Sequence, residues 1–323
     1  MNRDAVQRTP AAFDEGRLAS DDGHLTWYAQ YGNPQGIPLF WLHGGPGSAS
    51  SLRHIELIDL AHFRLVLSDQ RGCGRSLPCG AMQHNETRLL VGDIERLRAH
   101  LRLGRIVLGG GSWGAALALA YAAAHAENVA ALVLRAPFLA SSAEVDAFFA
   151  PPAGGPCAYR EAFAALAPLS QRQRLLPWLA QQLASASQEQ CARIARGWSL
   201  YEQQRESGGA ALPQPSAAAA TIARYRIQAH YLMHGCFFAE GELLASARTL
   251  RRLPVAILQG DADLVCPPDN ARLLQRCLPE SRLRMVAGAG HDPFHPGMAS
   301  ALTQALGCYI GNAHFEGWGI GHE

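Results

Sequence analysis

The segment 110–114 (Gly-Gly-Ser-Trp-Gly) has the residue types and spacing of a nucleophile held on a tight turn. It follows an apolar run at 105–108, which predicts a strand, and opens an Ala/Leu-rich helix predicted at 112–125. Small residues must flank the serine in such a turn, and the helix dipole favours negative charge developing at its hydroxyl. We therefore predict Ser112 as a catalytic nucleophile; the simpler alternative is that its hydroxyl only caps the helix.

A serine nucleophile needs a base and an acid that orients the base, and on this kind of turn they follow in the order Ser, Asp or Glu, His. Asp261 and Asp263 follow an apolar run at 255–258, and His291 follows the next predicted strand. Acid and histidine at the ends of neighbouring parallel strands can both reach the serine. We predict His291 as general base and then general acid. Spacing leaves Asp261 and Asp263 nearly equal as the orienting acid, with Asp263 preferred.

The oxyanion of an acyl-transfer reaction needs two backbone N–H donors. One is expected from Trp113, the residue after the nucleophile. The other is expected from the loop 43–47 (His-Gly-Gly-Pro-Gly), where glycines allow close approach of the backbone to a substrate, and we predict the Gly45 N–H. A purely structural Gly/Pro turn is the alternative for this loop.

Metal and cofactor chemistry has little support in the sequence. His230 and His234 are four residues apart, as are His291 and His295, but neither pair has a third ligand at a recognised spacing. The eight cysteines are irregularly spaced and form no CxxC pair, which favours reduced thiols. We expect no metal and no cofactor.

The predicted elements that must position these residues alternate between strands and helices. This alternation predicts an α/β fold with a mostly parallel sheet. It is interrupted between 137 and 250, where we find no convincing strand and expect a helical cap. The predicted domains are a first core part at 1–136, the cap at 137–250, and a second core part with a C-terminal tail at 251–323. The predicted strands are 16–19, 25–31, 38–42, 63–67, 105–108, 129–134, 255–258 and 282–286, and the predicted helices of the core are 89–101, 112–125, 268–277 and 298–306.

The composition excludes several classes of partner. The chain has 323 residues, of which 48% are hydrophobic, and 28 basic residues balance 27 acidic ones to a net charge of +1. This balance argues against non-specific electrostatic binding to nucleic acid or to an anionic membrane. No apolar run reaches the roughly 18 residues of a transmembrane helix, and the N-terminal segment is polar. We expect a cytoplasmic protein that acts on a small substrate; the sequence leaves its oligomeric state open.

Several motifs together resemble the proline iminopeptidases (prolyl aminopeptidases), a family of α/β-hydrolases with a helical cap. The resemblance extends from residue 16 to about residue 306. It implies that Asp263 is the acid of the triad and that Gly45 and Trp113 form the oxyanion hole. The motifs are 32–36 (GNPQG), 43–47 (HGGPG), 69–76 (DQRGCGRS), 110–114 (GGSWG), 198–202 (WSLYE), 263–267 (DLVCP) and 288–291 (GAGH).

The resemblance also implies a substrate pocket, because this family removes an N-terminal proline and must hold a secondary ammonium and a small ring. Glu202 falls on the first of two glutamate positions that bind the ammonium, and Gln228 stands at the second. Phe138 retains one pocket aromatic. Phe149 stands where the family usually has Tyr, and Leu232 where it usually has Phe.

Two enzymatic functions therefore remain in view. The first is a serine aminopeptidase that releases N-terminal proline from peptides through an acyl-enzyme on Ser112. The second is an amide or ester hydrolase of the same fold that acts on a non-peptide substrate, such as a tailoring or release enzyme of specialised metabolism. The second is favoured by Gln228, Phe149 and Leu232. A non-catalytic binding protein is disfavoured because every position of the triad is filled.

Overall fold

An eight-stranded sheet forms the centre of the protein in the computed structural model, which describes residues 10–150, 157–206 and 219–319. The first two strands form an antiparallel hairpin, whose turn is closed by a hydrogen bond from the Ser20 backbone N–H to the His24 carbonyl. The strands are β1 Asp14–Ala19, β2 Leu25–Gly32, β3 Ile37–Leu42, β4 Phe63–Ser68, β5 Ile106–Ser112, β6 Val129–Pro137, β7 Val255–Gly260 and β8 Arg282–Val286.

The strand order in the sheet is β1-β2-β4-β3-β5-β6-β7-β8. β1 pairs with β2, and β2 with β4, in antiparallel fashion. All the other pairs are parallel, so the carboxyl ends of β3 to β8 lie at the same edge of the sheet. This arrangement confirms the predicted α/β class, and it brings the loops that follow β5, β7 and β8 to that edge.

Helices cover both faces of the sheet. One face is packed by α1, α2, α8 and α9, with Leu97, Leu117 and Leu274 in the same buried cluster. The other face is packed by α10, whose Met298 and Leu302 are buried there. The helices of the described ranges are α1 Thr87–His100, α2 Trp113–Ala124, α3 Ser142–Phe149, α4 Ala158–Ala164, α5 Leu175–Ser185, α6 Gln188–Glu206, α7 Ala219–Met233, α8 Glu242–Thr249, α9 Pro268–Cys277 and α10 Pro296–Asn312.

Six of these helices, α3 to α8, lie between β6 and β7, and the described residues of that stretch contain no strand. Helices α3 to α7 share a separate buried cluster around Trp198, Phe163 and Tyr225. Helix α8 differs, because its Leu243 and Ala247 are buried in the cluster of α1 and α2. The division into core and cap at residues 137 and 250 stays a prediction. In the described part of the chain, no helix combines the length and apolar character needed to cross a membrane.

Several predicted elements were too short, and the differences are largest for the strand at 105–108 and the helix at 298–306. The strand predicted at 105–108 continues to Ser112, because the glycines at 109–111 pair with β6 without contributing to a hydrophobic pattern. The helix predicted at 298–306 extends over Pro296–Asn312, since its last turns bury Tyr309 against Phe315. This contact joins the helix to the segment that follows it.

Candidate active site

Ser112 stands at the sharp turn between β5 and α2 with φ 58° and ψ −124°. Positive φ is strained for a residue with a side chain, and this strain is a feature of a nucleophile turn. The turn is possible because its neighbours are small: a Cβ on Gly114 would collide with the carbonyl oxygen of Leu42. The strand-turn-helix context predicted for 110–114 is therefore present.

His291 and Asp263 are in direct contact, with 2.7 Å between His291 Nδ1 and Asp263 Oδ2. The other oxygen of Asp263 accepts the backbone N–H groups of Val265 at 2.8 Å and Cys266 at 2.9 Å. Burial alone would raise the pKa of Asp263, but the charge and hydrogen bond of His291 and these backbone donors outweigh it and hold the pKa below its ordinary value. Asp263 thus meets His291 as a carboxylate.

Asp261, the alternative acid, points elsewhere. It is exposed, and its Oδ1 accepts the backbone N–H of Gly288 at 2.8 Å. It stabilises the turn after β8, and the carboxylate that contacts His291 is that of Asp263. The geometry therefore separates two aspartates that their spacing in sequence leaves nearly equal.

Ser112 and His291 line the same cavity, although within the described residues they are not hydrogen-bonded to each other. The Ser112 hydroxyl lies 3.8 Å from Cys266 Sγ. Catalytic hydrogen bonds are often long in substrate-free enzymes and tighten when substrate binds. The backbone of His291 is held by buried Arg135, whose Nη1 donates to the His291 carbonyl at 2.7 Å.

The predicted oxyanion loop lies against the nucleophile. A Cβ on Gly44 would lie 3.6 Å from Ser112 Cβ, so the backbone of this loop passes directly beside the serine. Gly45 lines the cavity next to it and has φ +120°, a conformation that side chains rarely adopt. The Gly45 backbone is therefore near the place where an oxyanion would form.

Gln70 joins the two segments that carry the predicted oxyanion donors. Its side-chain oxygen accepts Trp113 Nε1 at 2.8 Å, and its side-chain nitrogen donates to the His43 carbonyl at 2.9 Å. Its backbone N–H donates to His43 Nε2 at 2.9 Å, and burial lowers the pKa of His43, which keeps that ring neutral and able to accept. Gln70 thus sets the position of the loop relative to the nucleophile turn.

A cavity of about 280 Å³ lies above the Ser112 turn. This volume lies just below the range of about 300–1,000 Å³ for small-ligand pockets. Asp263 and Trp113 are buried behind its wall. The other predicted site residues line it together: Gly45, Ser112, Phe138, Phe149, Glu202, Gln228, Leu232 and His291.

Glu202, on α6, already has three donors in the substrate-free protein. Gln228 Nε2 donates to its Oε1 at 2.5 Å, and Arg224 Nη2 and the Tyr225 hydroxyl donate to its Oε2 at 2.9 and 2.8 Å. Burial raises the pKa of Tyr225 well above its ordinary value, so the hydroxyl remains a donor. Among the described residues, Oε1 of Gln228 has no hydrogen-bond partner.

Sequence reasoning missed several charged residues of the cavity wall: Glu144, Arg135, Arg224 and Glu206. Glu144 forms a capping box with Ser141 at the start of α3 and accepts hydrogen bonds from Ser141 and Asn270. Glu206 carried a usable signal, because it lies four residues after Glu202 on a predicted helix. Arg224 carried no such signal in the sequence, because its contact with Glu202 joins residues of two different helices.

The DQRG segment has a structural role. Asp69 accepts Arg75 Nε at 2.7 Å, and Arg71 forms a two-pronged contact with Asp93 at 2.6 and 2.9 Å. The side chains of Asp69 and Arg71 are almost fully buried, so these contacts shape the loop from inside the protein.

His230 and His234 are both engaged in protein contacts. His230 Nε2 lies 3.0 Å from the Asn85 carbonyl, and His234 Nδ1 lies 2.7 Å from the His230 carbonyl. Within residues 10–150, 157–206 and 219–319, no group of three or more His, Cys, Asp or Glu side chains is placed to hold a metal ion.

Comparison with known proteins places this chain in a family. A family model described as the alpha/beta hydrolase fold matches residues 37–297. A proline iminopeptidase from Xylella fastidiosa (strain Temecula1) is 37% identical over 307 residues, which cover 92% of this chain and 97% of that protein. One from Neisseria gonorrhoeae is 36% identical over 301 residues, with coverages of 91% and 95%. The chain belongs to the proline iminopeptidase family of α/β-hydrolases.

Membership of this family confirms the resemblance found in the sequence and, with it, the enzyme class: a serine hydrolase of the α/β-hydrolase fold. A solved structure supports the fold alone. An esterase from Rhodococcus sp. ECU1013 superposes with a TM-score of 0.60 at 20% identity, covering 93% of this chain and 99% of that one. The roles of individual residues in this iminopeptidase-family member stay predictions.

Proposed function

We propose that this protein is a prolyl aminopeptidase that releases N-terminal proline from peptides through an acyl-enzyme on Ser112. The observation that carries the proposal is that two glutamates of α6, Glu202 and Glu206, line one small cavity together with the candidate nucleophile, Ser112. The ammonium and the scissile carbonyl of an N-terminal residue are two bonds apart, so one such cavity must bind both groups. Relatives named proline iminopeptidase support the same substrate.

In the first half-reaction, His291 takes the proton of the Ser112 hydroxyl as the oxygen attacks the prolyl carbonyl. The Asp263 carboxylate fixes the imidazole with Nε2 free to accept, and it stabilises the imidazolium that forms. The oxyanion accepts the N–H groups of Gly45 and Trp113. Collapse breaks the amide bond, and His291 gives its proton to the leaving amine of the shortened peptide.

In the second half-reaction, water replaces the leaving peptide. His291 takes a proton from the water, whose oxygen attacks the ester carbonyl of the acyl-enzyme. The same two N–H donors hold the second oxyanion. Its collapse returns the proton to Ser112 and releases free proline, so the enzyme finishes in the state in which it began.

The proposal is tested with L-proline 4-nitroanilide, from which hydrolysis releases a coloured amine. The wild-type protein is expected to cleave it, and Ser112→Ala is expected to lose several orders of magnitude in kcat without unfolding, because only a hydroxyl is removed. A serine-directed phosphonate should label wild-type protein and leave Ser112→Ala unlabelled. Failure of the wild-type protein to release proline, together with hydrolysis of a neutral acyl ester, would refute the proposed substrate.

A second candidate function is an amide or ester hydrolase for a neutral acyl group. The observation that favours it is the ion pair between Arg224 Nη2 and Glu202 Oε2, because a guanidinium already balances the carboxylate that would hold an ammonium. The ratio of kcat/KM for prolyl anilide to that for a neutral anilide of the same size separates the two functions. A ratio far below one would favour this second candidate.

We also propose that the protein works in the cytoplasm. All eight cysteines are free thiols in the structure. Unpaired cysteines in this number suit a reducing compartment. Fractionation of the native host, with blotting for the protein in the cytosolic and exported fractions, tests the location.

A further inference from the structure

The two residues that the family resemblance implies for binding the substrate ammonium, Glu202 and Gln228, offer no net negative charge in this structure. Glu202 is paired with the guanidinium of Arg224, and Gln228 is neutral. These three side chains together carry no net charge, and a neutral group attracts a cation weakly. If the enzyme binds an N-terminal ammonium in this cavity, the negative charge must come from another residue of the wall.

Glu206 is placed to supply that charge. It lies one helical turn after Glu202 on α6, on the same face, and it lines the cavity with Ser112 and His291. Its backbone carbonyl lies 2.9 Å from where a Cβ on Gly290 would be, so the end of α6 reaches the loop that carries His291. Glu206 therefore lies between Glu202 and the loop that carries His291.

Gln228 independently points to a ligand with N–H donors. It is 5% exposed, and its Nε2 is committed to Glu202, which fixes the direction of the amide. Its Oε1 is buried and, among the described residues, has no donor. A buried acceptor without a donor costs free energy, and a bound ligand that donates a hydrogen bond would remove that cost.

We propose that Glu206 is the second carboxylate of the ammonium site. A secondary ammonium such as that of N-terminal proline has two N–H groups; one is donated to Gln228 Oε1 and the other to the Glu206 carboxylate. Glu202 remains paired with Arg224 and holds Gln228 in place. This inference rests on the proposed function, and it assigns to Glu206 the charge that Gln228 lacks.

The electrostatics of the wall agree with this assignment. Glu206 as a whole residue is exposed, yet protein atoms surround its carboxyl group closely enough that burial, with the charge of Glu202, raises its pKa. His291, Arg224 and Arg135 act in the opposite direction. A cation bound at Glu206 would add to those three and favour the ionised form.

The test compares a cationic and a neutral acyl group in the same cavity. The substrates are L-proline 4-nitroanilide and 4-nitrophenyl cyclopentanecarboxylate, in which a methylene replaces the ammonium. Glu206→Gln is expected to lower the anilide-to-ester ratio of kcat/KM about tenfold, because a charged hydrogen bond becomes a neutral one. Glu189→Gln, the same substitution at the exposed start of α6, should leave the ratio at the wild-type value.

A binding measurement accompanies the kinetics. L-prolinol, a secondary ammonium without a scissile bond, is tested as an inhibitor of ester hydrolysis, and Glu206→Gln should raise its inhibition constant about tenfold. The ester reports that the variant is folded and active. An unchanged ratio with unchanged prolinol inhibition, or an equal fall for both substrates, would overturn the proposal for Glu206. Absence of prolyl anilide hydrolysis by the wild type refutes the proposed function instead, and prolinol inhibition then still decides whether Glu206 binds a cation.

Discussion

The carboxylate of Asp263 uses both of its oxygens: Oδ2 lies 2.7 Å from His291 Nδ1, and Oδ1 accepts the backbone N–H groups of Val265 and Cys266. The second set of bonds fixes the plane of the carboxylate, and the plane of the carboxylate fixes the histidine ring. Asp261 is two residues away and is bonded to Gly288 instead.

Asp263→Asn is therefore expected to lower kcat by about four orders of magnitude, since the amide stabilises the wrong tautomer of His291. Asp261→Asn should keep kcat within a few-fold of wild type and lose a little stability at the Gly288 turn. Steady-state kinetics with L-proline 4-nitroanilide measure both. The reverse ranking of the two variants would transfer the role to Asp261.

Gln228→Glu would place a carboxylate where an amide now donates to Glu202 Oε1. The hydrogen bond becomes a repulsion between like charges, so we expect the free energy of unfolding to fall by about 1–3 kcal/mol at neutral pH. Denaturant titration measures the loss. Saturating L-prolinol should restore more stability to this variant than to wild type, because the cation screens the repulsion. Equal stabilisation of the two proteins would show that the ligand does not bind beside residue 228.

Arg224→Met removes the guanidinium that balances Glu202 and keeps an apolar side chain of similar length. The freed carboxylate adds negative charge to the ammonium site, so the anilide-to-ester ratio of kcat/KM should rise several-fold. Arg226→Met is the control, because Arg226 lies on the same helix and donates to the Leu183 carbonyl away from the cavity. A fall in the ratio for Arg224→Met would mean that Arg224 helps to bind the substrate.

Glu95 couples stability to pH. It accepts hydrogen bonds from Arg98 and Tyr121, and these lower its pKa from 4.5 to about 2. Because the pKa is depressed in the folded state, this stabilisation is fully present above pH 4.5 and is lost as the pH falls towards 2. Glu95→Gln should therefore unfold more easily by about 1–2 kcal/mol at pH 7, with a smaller deficit at pH 3. Urea titrations at both pH values test this, with the exposed Glu127→Gln as control; a deficit independent of pH would contradict it.

Gly47 allows α7 to approach the loop 43–47 closely. It has φ +90°, and a Cβ there would collide with the carbonyl oxygen of Arg224. Gly23 has a similar φ of +88°, but a Cβ there would have nothing within 4 Å. Gly23→Ala should thus cost about 1 kcal/mol of backbone strain, and Gly47→Ala at least about 2 kcal/mol more from the collision. Thermal and denaturant unfolding measure the stability of the two variants. Equal losses in the free energy of unfolding would mean that α7 shifts to accommodate the new methyl group at little cost.

Much of the candidate site could be located from the sequence because its signals are local or depend on chain order. The glycines around Ser112 are required by a turn of a few residues, and the order of Ser112, Asp263 and His291 follows from parallel strands that end at one edge. The helices and strands of the core were predicted from periodicity, with errors at their ends. Glycines carry β5 on to Ser112, and tertiary contacts of its last turns carry α10 on to Asn312; neither appears in a hydrophobic pattern.

The sequence by itself determined the class of fold, because the alternation of strands and helices is visible in local patterns. It also supplied the candidate nucleophile and the order of its candidate partners, whose roles stay predictions. The spacing of Asp261 and Asp263 left the two nearly equal, and the family resemblance implied Asp263. The tertiary structure shows the contact itself: Asp263 meets His291 and Asp261 points to Gly288, because the two side chains differ in direction. It alone decided the charge of the cavity wall as well. Arg224 neutralises Glu202 across two packed helices, and Glu206 reaches the cavity from the end of α6. Such contacts depend on how helices distant in sequence pack together, which no local pattern of residues specifies.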